Sequence, residues 1–197
     1  MKTIFRSYED EPVAMARRLL GQDLCRRTRL GFCVGRIVET EAYLSEGDSA
    51  CHSAVGPNRK NASMFGPLGH AYVYTIHARQ CFNVVTQAAD VGSAVLIRAL
   101  EPVRGIELMQ QRRNTTLVRD LCRGPARLCE SLGIGREMDG WDLSLGQRLW
   151  IEVGHPVPAT EIRMTRRIGV TSAESLLLRF FVNGNPFISG TRRQNAS

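Results

Sequence analysis

The sequence predicts a single α+β domain, residues 1–197, in which a curved, mostly antiparallel β-sheet is surrounded by helices. Three observations predict it. Runs of β-forming residues recur without regular helical crossovers between them, which disfavours a parallel sheet. The apolar fraction, 43% of 197 residues, suffices for one packed core. No internal repeat or low-complexity tract interrupts the chain.

The first helix is opened by Asp10 and Pro12 and stopped by Gly21. Val13, Ala16, Leu19 and Leu20 form its buried stripe, and Arg17 and Arg18 point outwards. Strands follow over residues 24–28 and 32–43. The second is rich in β-formers, and Gly31 and Gly35 leave room for a bend or bulge. Regular alternation places Glu39, Glu41 and Tyr43 on the face of Ile37, an odd mixture for either a core or a solvated face. Residues 45–53 are small and polar and are expected to make one or two helical turns carrying His52. Residues 55–69, rich in Gly, Pro and Asn, read as a basic surface loop with Arg59 and Lys60.

Residues 71–77 alternate as a strand, with Tyr72, Tyr74 and Ile76 on one face. Residues 77–80 read as a hairpin tip and 81–86 as the return strand. After a loop, 94–100 is an apolar strand that places Arg98 in a buried setting, where it must be paired. Pro102 and Gly105 bracket the start of a helix running to about residue 113. Gly124-Pro125 opens another helix, with Leu128, Cys129 and Leu132 inward and Gly133 as its stop. Residues 135–146 are rich in turns. Strands are expected over 148–153, 161–168 and 178–182, then a turn at Gly184-Asn185-Pro186 and a short piece at 187–189. From Arg192 the chain is expected to fray.

The net charge is +7, and it is carried by Arg, because Lys occurs only at positions 2 and 60. Guanidinium forks match phosphates and stack on bases, so nucleic acid is the partner this balance suggests; a codon bias towards Arg would give the same composition. Six Cys show no C-x-x-C spacing and sit mostly in apolar company. They read as reduced, buried thiols of a cytosolic protein. Cys51-His52 lacks a second ligand pair at metal spacing, so no metal is expected. No leader and no membrane-spanning run is evident, so a soluble cytoplasmic protein, associated with the nucleoid, is expected.

Four motifs now stand together: Val38-Glu39-Thr40-Glu41-Ala42-Tyr43, Tyr72-Val73-Tyr74, Arg98 to Pro102, and Leu121-Cys122-Arg123-Gly124-Pro125 with Leu128-Cys129. Through them the chain resembles the alkyladenine (3-methyladenine, or methylpurine) DNA glycosylase family, over nearly its whole length, from the first helix to Phe187. The resemblance implies one glycosylase domain acting as a monomer on double-stranded DNA without a cofactor. It would flip an alkylated or deaminated purine out of the duplex and cleave the N-glycosidic bond with water. By position, Glu41 matches the family's general base and Arg98 the residue that positions the water and the carboxylate. Tyr43 and His52 match groups on one face of the flipped base, and Tyr74 the ring on the other. Asn83 matches the pocket residue that crowds the exocyclic amine of guanine. Arg59, Lys60 and Gly124 are candidates for the DNA backbone; Gly124 could equally do no more than start its helix.

Stacking of a base between rings contributes about 1–3 kcal/mol, on the order of the cost of flipping at a lesion. Loss of the base leaves an oxocarbenium-like sugar, which a carboxylate can stabilise while taking a proton from water. Glu39 reads as a structural ion pair and Tyr72 as core. One position departs from the family. Its best-known members insert a Tyr from the hairpin tip into the gap left by the flipped nucleotide; here that position is His77, in a hairpin one residue shorter before Asn83. Neither Lys falls in the motifs, so no Schiff-base lyase step is expected. Two other readings remain at this point: a non-catalytic binder of damaged or distorted DNA, and an RNA- or nucleotide-directed hydrolase. The former has no use for a carboxylate beside Tyr43, and the latter lacks a phosphate loop or metal cluster. The preferred lesion is open.

Overall fold

The computed structural model describes residues 11–196. Asp10 lies outside them. Helix α1 (Pro12–Leu19) starts with Pro in its first turn and buries Met15, Ala16 and Leu19; Val13 is only partly buried. Eight strands form one sheet: β1 (Asp23–Thr28), β2 (Gly31–Tyr43), β3 (Ala71–Ile76), β4 (Arg79–Val85), β5 (Ala94–Arg104), β6 (Leu149–Glu152), β7 (Ile162–Thr165) and β8 (Arg179–Val182). Their order is β3-β4-β5-β2-β1-β6, and every pairing is antiparallel. β8 takes the edge of β2 beyond the point where β1 leaves it, and β7 pairs with β8. The result is a curled half-barrel.

Helices α2 (Ile106–Arg113) and α3 (Pro125–Leu132) pack on each other, and with α1 they cover one sheet face. The main core lies between them and the sheet and includes Met15, Leu19, Ile37, Ala42, Phe82, Ile97, Leu100, Leu128 and Phe180. The other face carries two smaller clusters. Cys51, Met64, Tyr72, Val85 and Ala94 gather at one end, with Tyr43, Phe65 and Tyr74 against them. Cys25, Val34 and Trp150 gather at the other, with Phe32.

β2 is the spine of this arrangement, and its faces differ from the regular alternation expected above. Ile37 and Ala42 share the main core although they stand an odd number of residues apart. The β2–β5 register slips between Ile37 and Glu39, where Val38 is the extra residue, and again between Glu39 and Thr40. This bulge turns the strand over. Ile37 therefore faces the helices, as does Thr40, whose hydroxyl donates to the Ala16 carbonyl at 2.9 Å. Glu39, Glu41 and Tyr43 face the opposite side. A further slip falls at Gly35, where a Cβ would meet the Leu100 side chain at 2.8 Å.

Several local expectations are corrected. The turn carrying His52 is a 3₁₀ segment at His52–Val55, later than expected, because Asp48 organises the preceding loop by accepting from the Leu44 and Ala50 amides. Residues 55–69 are not wholly surface: a 3₁₀ turn at Ala62–Phe65 buries Met64. The hairpin tip is only two residues, since Ile76 already pairs with Arg79. β5 runs through Pro102, which lies beyond the stretch paired with β4 and beside the Gly35 slip, where a missing N–H costs the ladder little. Helix α2 begins only after Gly105 (φ +77), whose Cβ would strike the Phe32 carbonyl. β7 ends at Thr165, which frees the next residues for the site. No strand forms at 187–189. Residues 192–196 do not fray but form a short helix, α4 (Arg192–Ala196), anchored by Arg179 through the Gln194 carbonyl and Asn195.

All six thiols are buried and free, and burial pushes each above its ordinary pKa. The folded protein should leave a thiol reagent such as DTNB largely unreacted near neutral pH, and all six should react in denaturant. Fast reaction of one thiol in the native protein would contradict this packing.

Candidate active site

Pairing register builds the site. One row across the sheet reads Tyr72, Asn83, Leu96, Glu41, Arg179, on β3, β4, β5, β2 and β8. Directly paired residues share a face, so these side chains rise together on the side away from the helices. Strands lie about 4.8 Å apart, which puts Asn83 roughly 10 Å from Glu41. The neighbouring row holds Tyr43, Ala94 and Val85. Arg98 is the residue β5 adds where the register slips opposite Thr40, and such slips commonly re-aim a side chain.

Glu41 is fully buried, and its two oxygens are treated differently. Oε1 accepts from the Ile168 amide at 2.8 Å and faces Arg98 Nη1 at 3.2 Å. Among the described residues, Oε2 accepts only from the Tyr43 hydroxyl, at 3.0 Å. Burial raises the Tyr43 pKa well above the phenol range, and the Glu41 charge adds to this, so Tyr43 stays a donor. Arg98 also donates through Nε to Glu39 at 3.1 Å and through Nη1 to the Ile168 carbonyl at 3.4 Å. Burial would lower its pKa, but Glu41 and Glu39 outweigh that and raise it. Arg98 thus stays a cation between two carboxylates.

Glu39 is the structural partner expected. It takes Arg179 Nε at 2.7 Å, the Ser189 amide at 2.5 Å and the Ser189 hydroxyl at 2.9 Å, besides Arg98. Burial pushes its pKa up, and the two guanidiniums and the Ser189 amide more than reverse that, holding it below the usual carboxylate range. A chain of alternating charge therefore runs Glu41, Arg98, Glu39, Arg179 through the sheet.

The aromatic part stands over the row just described. His52 packs edge-on against Tyr74 with centroids 4.6 Å apart, and its Nδ1 lies 2.8 Å from the Tyr72 hydroxyl. His52 is exposed, but the edge against the two tyrosines is covered, and that desolvation lowers its pKa below the imidazole norm. Tyr72, 2% exposed, is core as expected, and it also fixes His52. The Asn83 amide is held in place by donating to the Tyr72 carbonyl at 2.9 Å. Under Tyr43 lies Arg167, 4.5 Å from the ring centroid. Arg167 makes a fully buried bidentate pair with Asp48, both bonds 2.6 Å, and donates to the Ala42 carbonyl. Among the described residues no three His, Cys, Asp or Glu side chains converge as a metal site.

So Glu41, Arg98, Tyr43, His52, Tyr74 and Asn83 come together. His77 stands apart, three residues beyond Tyr74 and roughly 10 Å along the strand. His77 and Ala78 form the hairpin tip with φ +48 and +60, a turn that usually takes Asn or Gly. Each such residue costs on the order of 1 kcal/mol. Arg59 and Lys60 are exposed. The Gly124 amide donates to the Cys122 carbonyl at 3.1 Å, so the N–H groups open at the start of α3 are those of Ala126 and Arg127. Sequence reasoning missed Ile168, Ser189, Arg179, Asp48 and Arg167.

The profile of the family described as Methylpurine-DNA glycosylase (MPG) matches residues 6–186. The chain belongs to the methylpurine-DNA glycosylase family. Among relatives of this glycosylase is a protein of Rhodopirellula baltica named "Putative 3-methyladenine DNA glycosylase", 47% identical over 95% of this chain and 83% of its own length. One with the same name from Rubrobacter xylanophilus is 48% identical over 84% of this chain and 86% of its own length. A third, from Encephalitozoon cuniculi, is named "Probable DNA-3-methyladenine glycosylase" and is 42% identical over 91% of this chain and 89% of its own length. The chain is thus a DNA glycosylase of base-excision repair whose substrate is DNA. Its half-barrel presents the carboxylate, the guanidinium and the rings from three strands, β2, β3 and β5, and the turn at His52 at one face.

Proposed function

We propose that this glycosylase, acting as a monomer, flips an alkylated or deaminated purine from duplex DNA and hydrolyses its N-glycosidic bond, leaving an intact abasic site. The class includes 3-methyladenine, 7-methylguanine, hypoxanthine and ethenoadenine. The observation that carries the reading is Glu41: a buried carboxylate with one oxygen held by a cation and an amide, and the other held, among the described residues, only by a phenol beside the rings. Oε2 keeps acceptor capacity for a water. That water attacks C1′ of the sugar as the base departs on N9 with the bonding electron pair, and Glu41 takes the water proton. Arg98 fixes the carboxylate and, with Glu41, the water. Tyr43, His52 and Tyr74 stack on the flipped base, and electron-rich faces favour a base made cationic by alkylation. Asn83 crowds the amine of guanine. Arg59, Lys60 and the start of α3 at Gly124 contact the backbone.

The test is incubation with duplexes carrying one hypoxanthine or one alkylated adenine, followed by alkali. Strand breaks only after alkali are expected, with no adduct trapped by borohydride. Binding without release of any damaged purine would leave a lesion binder instead, and a trapped adduct would overturn the monofunctional reading. Lys60 stands on the surface loop and Lys2 lies outside the described residues.

His77, at the exposed hairpin tip, fills the gap left by the flipped nucleotide. Imidazole offers less stacking area than phenol, so His77→Tyr is expected to tighten lesion-DNA binding several-fold, about 1 kcal/mol of stacking. Stopped-flow flipping and single-turnover excision read this; if neither moves, His77 is not the wedge.

A further inference from the structure

At the far end of β2 from Glu41, four exposed arginines stand without a carboxylate partner. They are Arg27 on β1, Arg29 in the β1–β2 turn, Arg104 at the end of β5 and Arg148 before β6. Among the described residues their side chains make no hydrogen bond or ion pair. The more buried Arg26, Arg36, Arg98, Arg113, Arg123, Arg167 and Arg179 do have carboxylates. Three of the four lie over rings, Arg148 at 5.3 Å from the Trp141 centroid. Phe32 and Trp150 stack at 5.5 Å and 9°, with Arg27 over both, at 5.4 and 5.5 Å, and Arg104 over Phe32 at 5.1 Å. Ring stacking fixes a guanidinium plane while leaving its N–H donors free. A shallow recess of about 580 Å³ opens beside them, lined by Arg26, Arg27, Thr28, Arg29 and Arg148. The nearby carboxylates are already engaged: Glu137 by Arg26, and Glu152 by the Trp150 indole N–H.

The bulge at Val38 decides where this patch points. Without it, Phe32 and Glu41, an odd interval apart on β2, would lie on opposite sheet faces. With it, both lie on the face away from the helices, about 30 Å apart along the strand. That span is on the order of nine base pairs of duplex.

We infer that Arg27, Arg29, Arg104 and Arg148 form a second binding surface for a phosphodiester backbone, distinct from the lesion pocket and on the same face. The inference rests on the glycosylase reading for its choice of DNA. The backbone can come from the flank of the lesion duplex or from a second duplex.

The test compares wild type with Arg29→Gln/Arg148→Gln, both surface changes outside the pocket. Lesion duplexes of about 10 and about 30 base pairs are titrated against salt, and a labelled lesion-free duplex is added to protein saturated with the short one. Losing two phosphate contacts should lower the salt slope by about two on the occupied backbone and weaken that binding about tenfold or more at moderate salt. Single-turnover excision from the short duplex should be unchanged. Loss confined to the long duplex assigns the flank, and loss of the lesion-free duplex assigns a second segment; either supports the surface. Equal slopes and equal binding in both arms overturn it, as does a patch that takes polyglutamate but not duplex. If the wild type excises nothing from the short duplex, the catalytic reading falls by itself, and the two binding arms still decide the patch.

Discussion

Glu41→Gln is expected to abolish base excision while lesion-containing duplex still binds. Gln is isosteric and can keep the contacts to Tyr43 and Ile168, but it cannot accept the proton of water or stabilise a cationic sugar. Loss of a positioned general base costs roughly 10²–10⁴ in rate, and loss of the charge adds to that. Single-turnover excision measures the effect, and a mobility shift measures retention. The fold should survive, because Arg98 keeps Glu39 as its anion and Glu41 anchors no segment besides the Ile168 amide. Substantial activity in the variant would move the water-activating role elsewhere, with Glu39 the next carboxylate in line.

Glu39→Gln is expected to behave in the opposite way, damaging the fold more than the chemistry. Its carboxylate holds Arg98, Arg179 and both polar groups of Ser189. Arg179 is fully buried, and its other partners are neutral: the Thr165 hydroxyl, the Ser189 and Gln194 carbonyls and Asn195. Removing one member of a buried ion pair costs about 3–5 kcal/mol, since the remaining charge stays desolvated. For a domain of this size that is a fall in Tm of roughly 6–20 °C. Thermal unfolding checks it, and a Tm within a degree or two of wild type would sink the idea that this chain of charge holds β8 and α4 to β2. The two variants together test whether the two glutamates, two residues apart on one strand, divide into one that reacts and one that holds.

Much of this was legible from the chain. Pro and Gly marked α1, α2 and α3, because both act through local backbone geometry. Alternation marked β3 and β4, and apolar continuity marked β5. The family resemblance carried by the motifs pointed to Glu41, Arg98, Tyr43, His52, Tyr74 and Asn83. Tertiary structure decided what depends on pairing across the sheet. The face on which Glu39 and Glu41 stand is set by the extra residue at Val38, and a bulge appears only when β2 is laid against β5. The partners Ile168, Ser189, Arg179, Asp48 and Arg167 come from segments more than a hundred residues from Glu41 or from loops without periodicity, so no local pattern announces them. Local propensity told where strands and helices begin. The long-range hydrogen bonds and buried charges, whose worth depends on burial that only folding creates, decided that Glu41 Oε1 faces Arg98 and the Ile168 amide while Oε2 faces the Tyr43 hydroxyl.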